Sequence, residues 1–284
     1  MGETGLVMEG GAMRGMFSAG VMDVLLENRV EFDGAIGVSA GAAFGCNYVS
    51  KQPHRVLRYN LRYCQDWRFC SLASLLLTGD LYGAKFGYYT IPEQYDLFDF
   101  ETFEKNPMEF YCVATDLETG QAAYHQFSDC RGDDMLWMRA SASLPIASRP
   151  VEVDGRKLLD GGLTDPIPLQ YFENIGYERN VLILTRSISY RKEPMKNMPL
   201  IRAALHKYPL AVQAIERRYQ VYNEEIRYIR ERERSGEVFV IRPFAELHIG
   251  SVCRDRSELR RVYRHGRRAA EERVEALKEW MRGI

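Results

Sequence analysis

Ala35-Ile36-Gly37-Val38-Ser39-Ala40-Gly41-Ala42-Ala43-Phe44-Gly45 places one serine between two glycines, after a short apolar run and before a run of small residues. The first run reads as a strand and the second as a helix, with Ser39 on the sharp turn between them. Bulky side chains at Gly37 or Gly41 would collide with strand or helix. A helix starting at Ala40 points its free N–H groups back toward the serine, where a developing oxyanion would sit. That is the arrangement of a nucleophile elbow.

Upstream, the apolar run Leu6-Val7-Met8 leads into Gly10-Gly11-Ala12-Met13-Arg14-Gly15, and Met16 to Leu26 then carries apolar residues at helical period. Phe32 to Val38 reads as the next strand and Ala40 to Val49 as the next helix. Strand–helix–strand–helix this early predicts parallel strands with right-handed crossovers, the α/β class. A glycine loop before a helix offers N–H groups to an anion, either a phosphate or the oxyanion of acyl transfer. The spacing Gly10-x-Ala12-x-x-Gly15 lacks the second glycine of a dinucleotide fingerprint, and no Gly-Lys-Ser/Thr follows. As an oxyanion loop, Gly10, Gly11, Ala12 and Met13 have a partner serine at the end of the next strand. Arg14 then adds positive charge near the site or fixes the loop by hydrogen bonds.

Farther along, His54 to Cys64 reads as helix, and Ser71 to Asp80 as an apolar loop or short helix. Leu81 to Tyr95 shows no clean period. Phe110 to Thr115 reads as a buried strand, Ala122 to Phe127 as an exposed one, and Asp134 to Ala142 as a helix. Val151-Glu152-Val153 and Lys157-Leu158-Leu159 flank Asp154-Gly155, a two-residue hairpin signal. Asn180 to Thr185 is expected as the final core strand of the α/β unit. Leu210 to Arg234 reads as a charged helix, Val238 to Ile241 as a strand, and Arg256 to Met281 as one terminal helix.

A serine hydroxyl needs a base before it becomes a nucleophile. The five histidines, His54, His125, His206, His248 and His265, lie in no distinctive local motif. Asp160 is the better candidate. It ends the second hairpin arm, at a strand edge where α/β sheets place their sites, and Gly161 and Gly162 let another backbone approach closely. Taken alone, Asp160-Gly161-Gly162 is also the signature of an ordinary tight turn.

The chain has 284 residues, 46% of them apolar and 27% charged, enough for one domain with a sizeable core. Its net charge of −1 hides an asymmetry: residues 186–284 hold 23 Lys and Arg against 14 Asp and Glu, and residues 1–185 hold 15 against 25. A basic C-terminal third fits contact with anionic lipid, or solvated helices with Arg/Glu pairs at helical spacing. The six cysteines show no CxxC pair, which reads as reduced, mostly buried thiols rather than a zinc site. No export signal and no spanning apolar stretch is apparent, so the expectation is a cytoplasmic protein, peripheral to membrane at most.

The three elements in this order resemble the patatin-like phospholipase family: the glycine loop Gly10 to Gly15, the elbow Gly37 to Gly41, and Asp160 to Gly162. Ala140-Ser141-Ala142-Ser143-Leu144-Pro145-Ile146 and Thr164-Asp165-Pro166-Ile167-Pro168 resemble the family's flanking segments. The resemblance spans about residues 5–185. It implies a three-layer α/β fold with a mainly parallel sheet, to which residues 186–284 add a helical, Arg-rich region packed on the same domain. It also implies a lipid acyl hydrolase with a Ser39–Asp160 dyad and the oxyanion held by N–H groups of Gly10 to Met13. Arg14, Gly15, Gly37, Gly41, Gly161 and Gly162 would support them. The partner is a lipid ester, with no metal, no organic cofactor and no nucleic acid. Ala12 stands where the family usually has a third glycine, which matters if that position needs positive φ. Leu75, Leu76, Leu77, Tyr82, Phe86, Tyr88 and Tyr89 are candidates for an acyl pocket or for ordinary core. Two other readings stay open: a triad of Ser39, Asp160 and His248, and a non-catalytic lipid-binding protein on the same fold.

Overall fold

The computed structural model describes residues 3–283. β1 (Glu3–Met8) runs inside an eight-stranded sheet, flanked in parallel by β2 (Gly34–Val38) and β7 (Tyr177–Ile183). β3 (Glu109–Asp116) extends it in parallel beyond β2, and β8 (Val238–Ile241) beyond β7. β4 (Ala122–Gln126) and β6 (Arg156–Asp160) pair antiparallel with β3, and β5 (Val151–Val153) closes the Asp154-Gly155 hairpin with β6.

The registers on β3 decide where the candidate residues meet. β4 pairs with Tyr111 to Thr115, overlapping the pairing of both β2 and β6, so β4 takes one edge of β3 and the other two share the opposite edge. On that shared edge β2 ends at Val38, opposite Val113, and β6 ends at Asp160, opposite Ala114. Ser39 and Asp160 therefore emerge at adjacent positions along one strand edge, from chain ends running in opposite directions.

Side chains alternate across the sheet, and both faces are covered. On one face Leu6, Met8, Ala35, Val181 and Ile183 are buried in a core with α1 (Gly15–Glu27), α2 (Ala40–Val49) and α3 (Arg55–Tyr63). On the other, Val7, Ile36, Val38 and Leu182 pack against residues of α7 (Leu169–Asn174) and α9 (Pro209–Arg234). The short helices α4 (Leu72–Thr78), α5 (Phe100–Lys105) and α8 (Met198–Ala204), with α6 (Gly132–Ser141), lie in the connections. The result is the α/β, three-layer, mainly parallel architecture read from the sequence.

Three expectations are corrected. Phe86–Tyr95, which lacks a helical period in the sequence, is a helix wound with π hydrogen bonds and containing Pro92. Its i→i+5 winding hides it from a search at 3.6 residues. β7 is not the last strand, because Val238–Ile241 joins the same sheet beside it. The terminal helix is two, α10 (Arg256–Glu271) and α11 (Val274–Arg282). The helices break at Arg273, whose guanidinium stacks 4.6 Å from the Phe239 ring, and Trp280 of α11 also packs on Phe239.

α10 packs on α1 through two reciprocal glycines. A Cβ on Gly20 would lie 2.1 Å from the Tyr263 carbonyl oxygen, and one on Gly266 1.9 Å from that of Phe17. Beside this seam the Tyr263 hydroxyl donates to Asp23 at 2.6 Å. Near it on α10, Arg267 pairs with Glu27 and Glu271, and Arg268 with Glu272. Because the Gly266 contact is backbone and cannot yield, Gly266→Ala is expected to cost about 1–3 kcal/mol of stability. Urea unfolding measures this, and an unchanged midpoint would show that the helices separate freely.

Candidate active site

Ser39 is the N-cap of α2 and adopts φ 55°, ψ −120°, a backbone region that non-glycine residues rarely occupy. Such a conformation costs on the order of 1–3 kcal/mol and persists only where its surroundings hold it. Here the Ser39 N–H donates to Ser141 Oγ at 2.9 Å, and the Ser39 carbonyl accepts from Ala42 and Ala43 N–H, each at 3.0 Å. The turn also needs its flanking glycines. A Cβ on Gly37 would sit 2.4 Å from the Ala42 nitrogen, and one on Gly41 2.3 Å from the Met8 carbonyl oxygen.

The glycine loop lies across this elbow. A Cβ on Gly10 would be 2.8 Å from the Val38 carbonyl oxygen and 3.1 Å from Ser39 Cβ. Ala12 has φ 47°, so the position does use the left-handed region, and alanine adopts it within a short 3-10 turn, Ala12–Arg14. Among the described residues no acceptor takes the N–H of Gly11 or Ala12. Beneath the loop the buried Glu9 carboxylate accepts from the Thr185 N–H at 2.6 Å and the Tyr222 hydroxyl at 2.9 Å. Gly15 opens α1 against Phe44 and Ala40.

Asp160 is 2% exposed, and its Oδ1 accepts the Gly162 N–H at 2.8 Å. Burial pushes its pKa up, and Arg218, the Ser39 hydroxyl and the Gly162 N–H each pull it down. Gly161 passes so close to β3 that a Cβ there would be 2.2 Å from the Val113 carbonyl oxygen. The structure thus brings Ser39, Asp160 and the Gly10 to Met13 loop together. It does not bring Arg14 into the cavity described next: Arg14 stands with Arg186 beside Glu9, its pKa lowered by burial and by Arg186. The histidines lie elsewhere. His125 pairs with Asp134 and stacks on Trp137, His54 contacts Tyr263 and Asp23, and His206, His248 and His265 are exposed.

A mainly apolar cavity is lined by Ser39, Ala12 and Met13 together with Phe44, Tyr59, Phe69, Tyr88, Ile91 and Met138. Of the expected pocket residues, Tyr82 and Tyr88 line it. Phe86 is core, packed on Tyr63, and Leu76 and Leu77 are solvent-exposed, at 86% and 73%. Sequence reasoning missed Ser141, although it lies in a quoted segment, because its role depends on a contact across 102 residues. It also missed Arg218, one arginine among many on a charged helix.

A family model described as patatin-like phospholipase matches residues 6–173, and the chain belongs to that family. A second model, Domain of unknown function (DUF6363), matches residues 208–282. The chain is 26% identical over 283 residues to the uncharacterized protein YjjU of Escherichia coli, covering 94% of this chain and 75% of that one. It is 30% identical over 182 residues to lysophospholipase nte1 of Aspergillus niger, covering 61% of this chain but only 11% of that protein. It is also 27% identical to an uncharacterized NTE family protein of Mycobacterium bovis, Mb1092c, over 63% of this chain and 48% of that protein. Among solved structures, VipD from Legionella pneumophila aligns over 97% of this chain and 67% of its own at TM-score 0.45 and 12% identity. Membership in a phospholipase family implies a lipid ester as substrate.

Removing the Ser141 hydroxyl leaves the Ser39 N–H without its acceptor, a loss of about 1–3 kcal/mol at a strained turn. Ser141→Ala is expected to slow reaction of Ser39 with a fluorophosphonate about tenfold or more. Equal labelling rates in the two proteins would mean that the elbow keeps its shape without this bond.

Proposed function

We propose that the protein is a lipid acyl hydrolase of the phospholipase or carboxylesterase type, working through Ser39 and Asp160. The observation that carries the reading is the convergence of Ser39, the buried Asp160 carboxyl and the unpaired N–H groups of the glycine loop, with Ser39 and Ala12 lining an apolar cavity. Asp160 takes the Ser39 proton as Oγ attacks the ester carbonyl carbon. N–H groups of Gly11 and Ala12, with that of Ala40, hold the oxyanion, each worth on the order of 3 kcal/mol in the barrier. The tetrahedral intermediate collapses, Asp160 returns the proton to the leaving alcohol, and the acyl group stays on Ser39. Water deprotonated by Asp160 then attacks the acyl carbon, and Asp160 returns that proton to Ser39 Oγ as the fatty acid leaves. These steps call on no metal or organic cofactor. The lysophospholipase relative supports a phospholipid or lysophospholipid as the ester.

A fluorophosphonate probe tests the chemistry. Wild type should label, Ser39→Ala should not, and Asp160→Asn should label about 100-fold more slowly or worse. Absence of labelling in correctly folded wild type would favour the non-catalytic lipid-binding reading. A rate loss in His248→Ala close to that of Ser39→Ala would favour the triad, whereas the dyad leaves His248→Ala nearly as active as wild type.

Contact with a membrane belongs to the same reading, at a different place from the basic helices. α4 is an excursion between the cavity residues Phe69 and Tyr82, closed by the Cys70–Tyr82 bridge. It exposes Leu72, Leu76 and Leu77, with Trp67 half-exposed nearby. Among the described residues no helix is long and apolar enough to cross a bilayer, whereas an apolar tip of this kind seats in an interface. The double variant Leu76→Glu, Leu77→Glu is expected to lose about tenfold or more of its turnover on phospholipid vesicles, with a short water-soluble ester hydrolysed at the wild-type rate. Parallel loss on both substrates would argue against a docking role.

A further inference from the structure

The region matched as a domain of unknown function contributes one side chain to this site. Arg218, on α9, donates from Nε to the Gly162 carbonyl, two residues beyond Asp160. A Cβ on Gly162 would lie 3.0 Å from Asp160 Oδ1 and 3.5 Å from Arg218 Nη2, so carboxyl and guanidinium face the same small space. We propose that Arg218 is a positioning residue that keeps Asp160 ionised and fixes the turn that aims it at Ser39, so that α9 completes the catalytic site. This rests on the dyad reading above.

The physical need is plain. A carboxyl buried to 2% exposure without a nearby cation holds its proton, and a protonated Asp160 cannot accept another from Ser39. Burial is the main influence raising the Asp160 pKa, and Arg218 is the largest one opposing it, followed by the Ser39 hydroxyl, the Gly162 N–H and Lys192. These influences come from Ser39 on the elbow, Gly162 in the turn, Arg218 on α9 and Lys192 in the segment before α8, with Tyr88 of the π-wound helix also near the carboxyl. Lys192 is a weak substitute. Burial, then Arg218, lower its pKa to about 7, and its ammonium lies 4.3 Å from the Tyr222 ring centroid.

Removing that charge lets the Asp160 pKa rise, so the acid limb of activity moves to higher pH. The experiment is the pH dependence of fluorophosphonate labelling and of short-ester kcat/KM for wild type, Arg218→Gln, Arg218→Met and Arg218→Lys, each checked for folding. The neutral variants are expected to shift the acid limb up by about one pH unit or more, making them about tenfold slower on that limb. Arg218→Lys, a charge of shorter reach without the same fork, should fall between. A purely structural role would lower rates alike at every pH, and an unmoved limb in a folded neutral variant overturns the proposal. If neither neutral variant folds, Arg218→Lys decides by the same criterion. Ser39→Ala and Asp160→Asn run alongside: if they retain activity the dyad reading fails, and if they are dead while the limb stays put only the role of Arg218 fails.

Discussion

Two strands share one edge of β3, and the rest of the site depends on the point where they meet. β2 arrives in parallel and stops at Val38, while β6 arrives antiparallel and stops at Asp160, one β3 residue farther on. Neither can continue without running into the other, so both must turn away from the sheet there. One turns into α2 through Ser39, the other into the 3-10 turn Gly161–Leu163. The glycines follow from the crowding: backbone atoms of Gly41, Ala42, Met8 and Val113 occupy the space that side chains at Gly37, Gly41 and Gly161 would need. A one-residue slip of β6 on β3 would carry the Asp160 side chain to the opposite face of the sheet.

The same crowding is held under strain. Ser39 and Ala12 both have positive φ, and each is held by contacts from other elements. For Ser39 the restraint is Ser141 on α6. For the loop bearing Ala12 it is Glu9, fixed at once by the chain after β7 and by Tyr222 on α9, with Thr185 Oγ1 also donating to the Gly10 carbonyl at 3.2 Å. An alanine at position 12 is tolerable because the frame, and not the intrinsic freedom of that residue, sets its conformation. The cost of left-handed backbone is about 1–2 kcal/mol, small against a frame of several buried hydrogen bonds.

What could be read in the chain beforehand was whatever is written locally. The elbow, the glycine loop and Asp160 carry their geometry in adjacent residues, and β1, β2, α1 and α2 announce themselves by period and by glycine punctuation. The π-wound helix did not, since residues five apart fall on its hydrogen-bonded rungs and Pro92 argues against any helix. The α1–α10 seam did not either: Gly20 and Gly266 each look like a weak point until the partner backbone is seen against them. Ser141 and Arg218 are ordinary polar residues of helices whose use is set by tertiary contact. Leu76 and Leu77 misled for the opposite reason, because an apolar run is equally consistent with a pocket wall and with an exposed tip.

Among the described residues, two ion pairs cross between the basic C-terminal third and the acidic remainder. The basic C-terminal third lies against the acidic remainder, with Arg267 on Glu27 at 2.7 Å and Arg232 on Glu173 at 3.2 Å. Exposed pairs of this kind are each worth about 0–1 kcal/mol, too little to hold the two parts together. Apolar burial does that, through Leu259 and Val262 of α10 in one core and Tyr222 and Ile229 of α9 in the other. Charge complementarity then acts as a filter on the arrangement. It sets Arg267 and Arg232 on acidic partners of the preceding region, and the half-buried Arg218 on the Gly162 carbonyl beside Asp160.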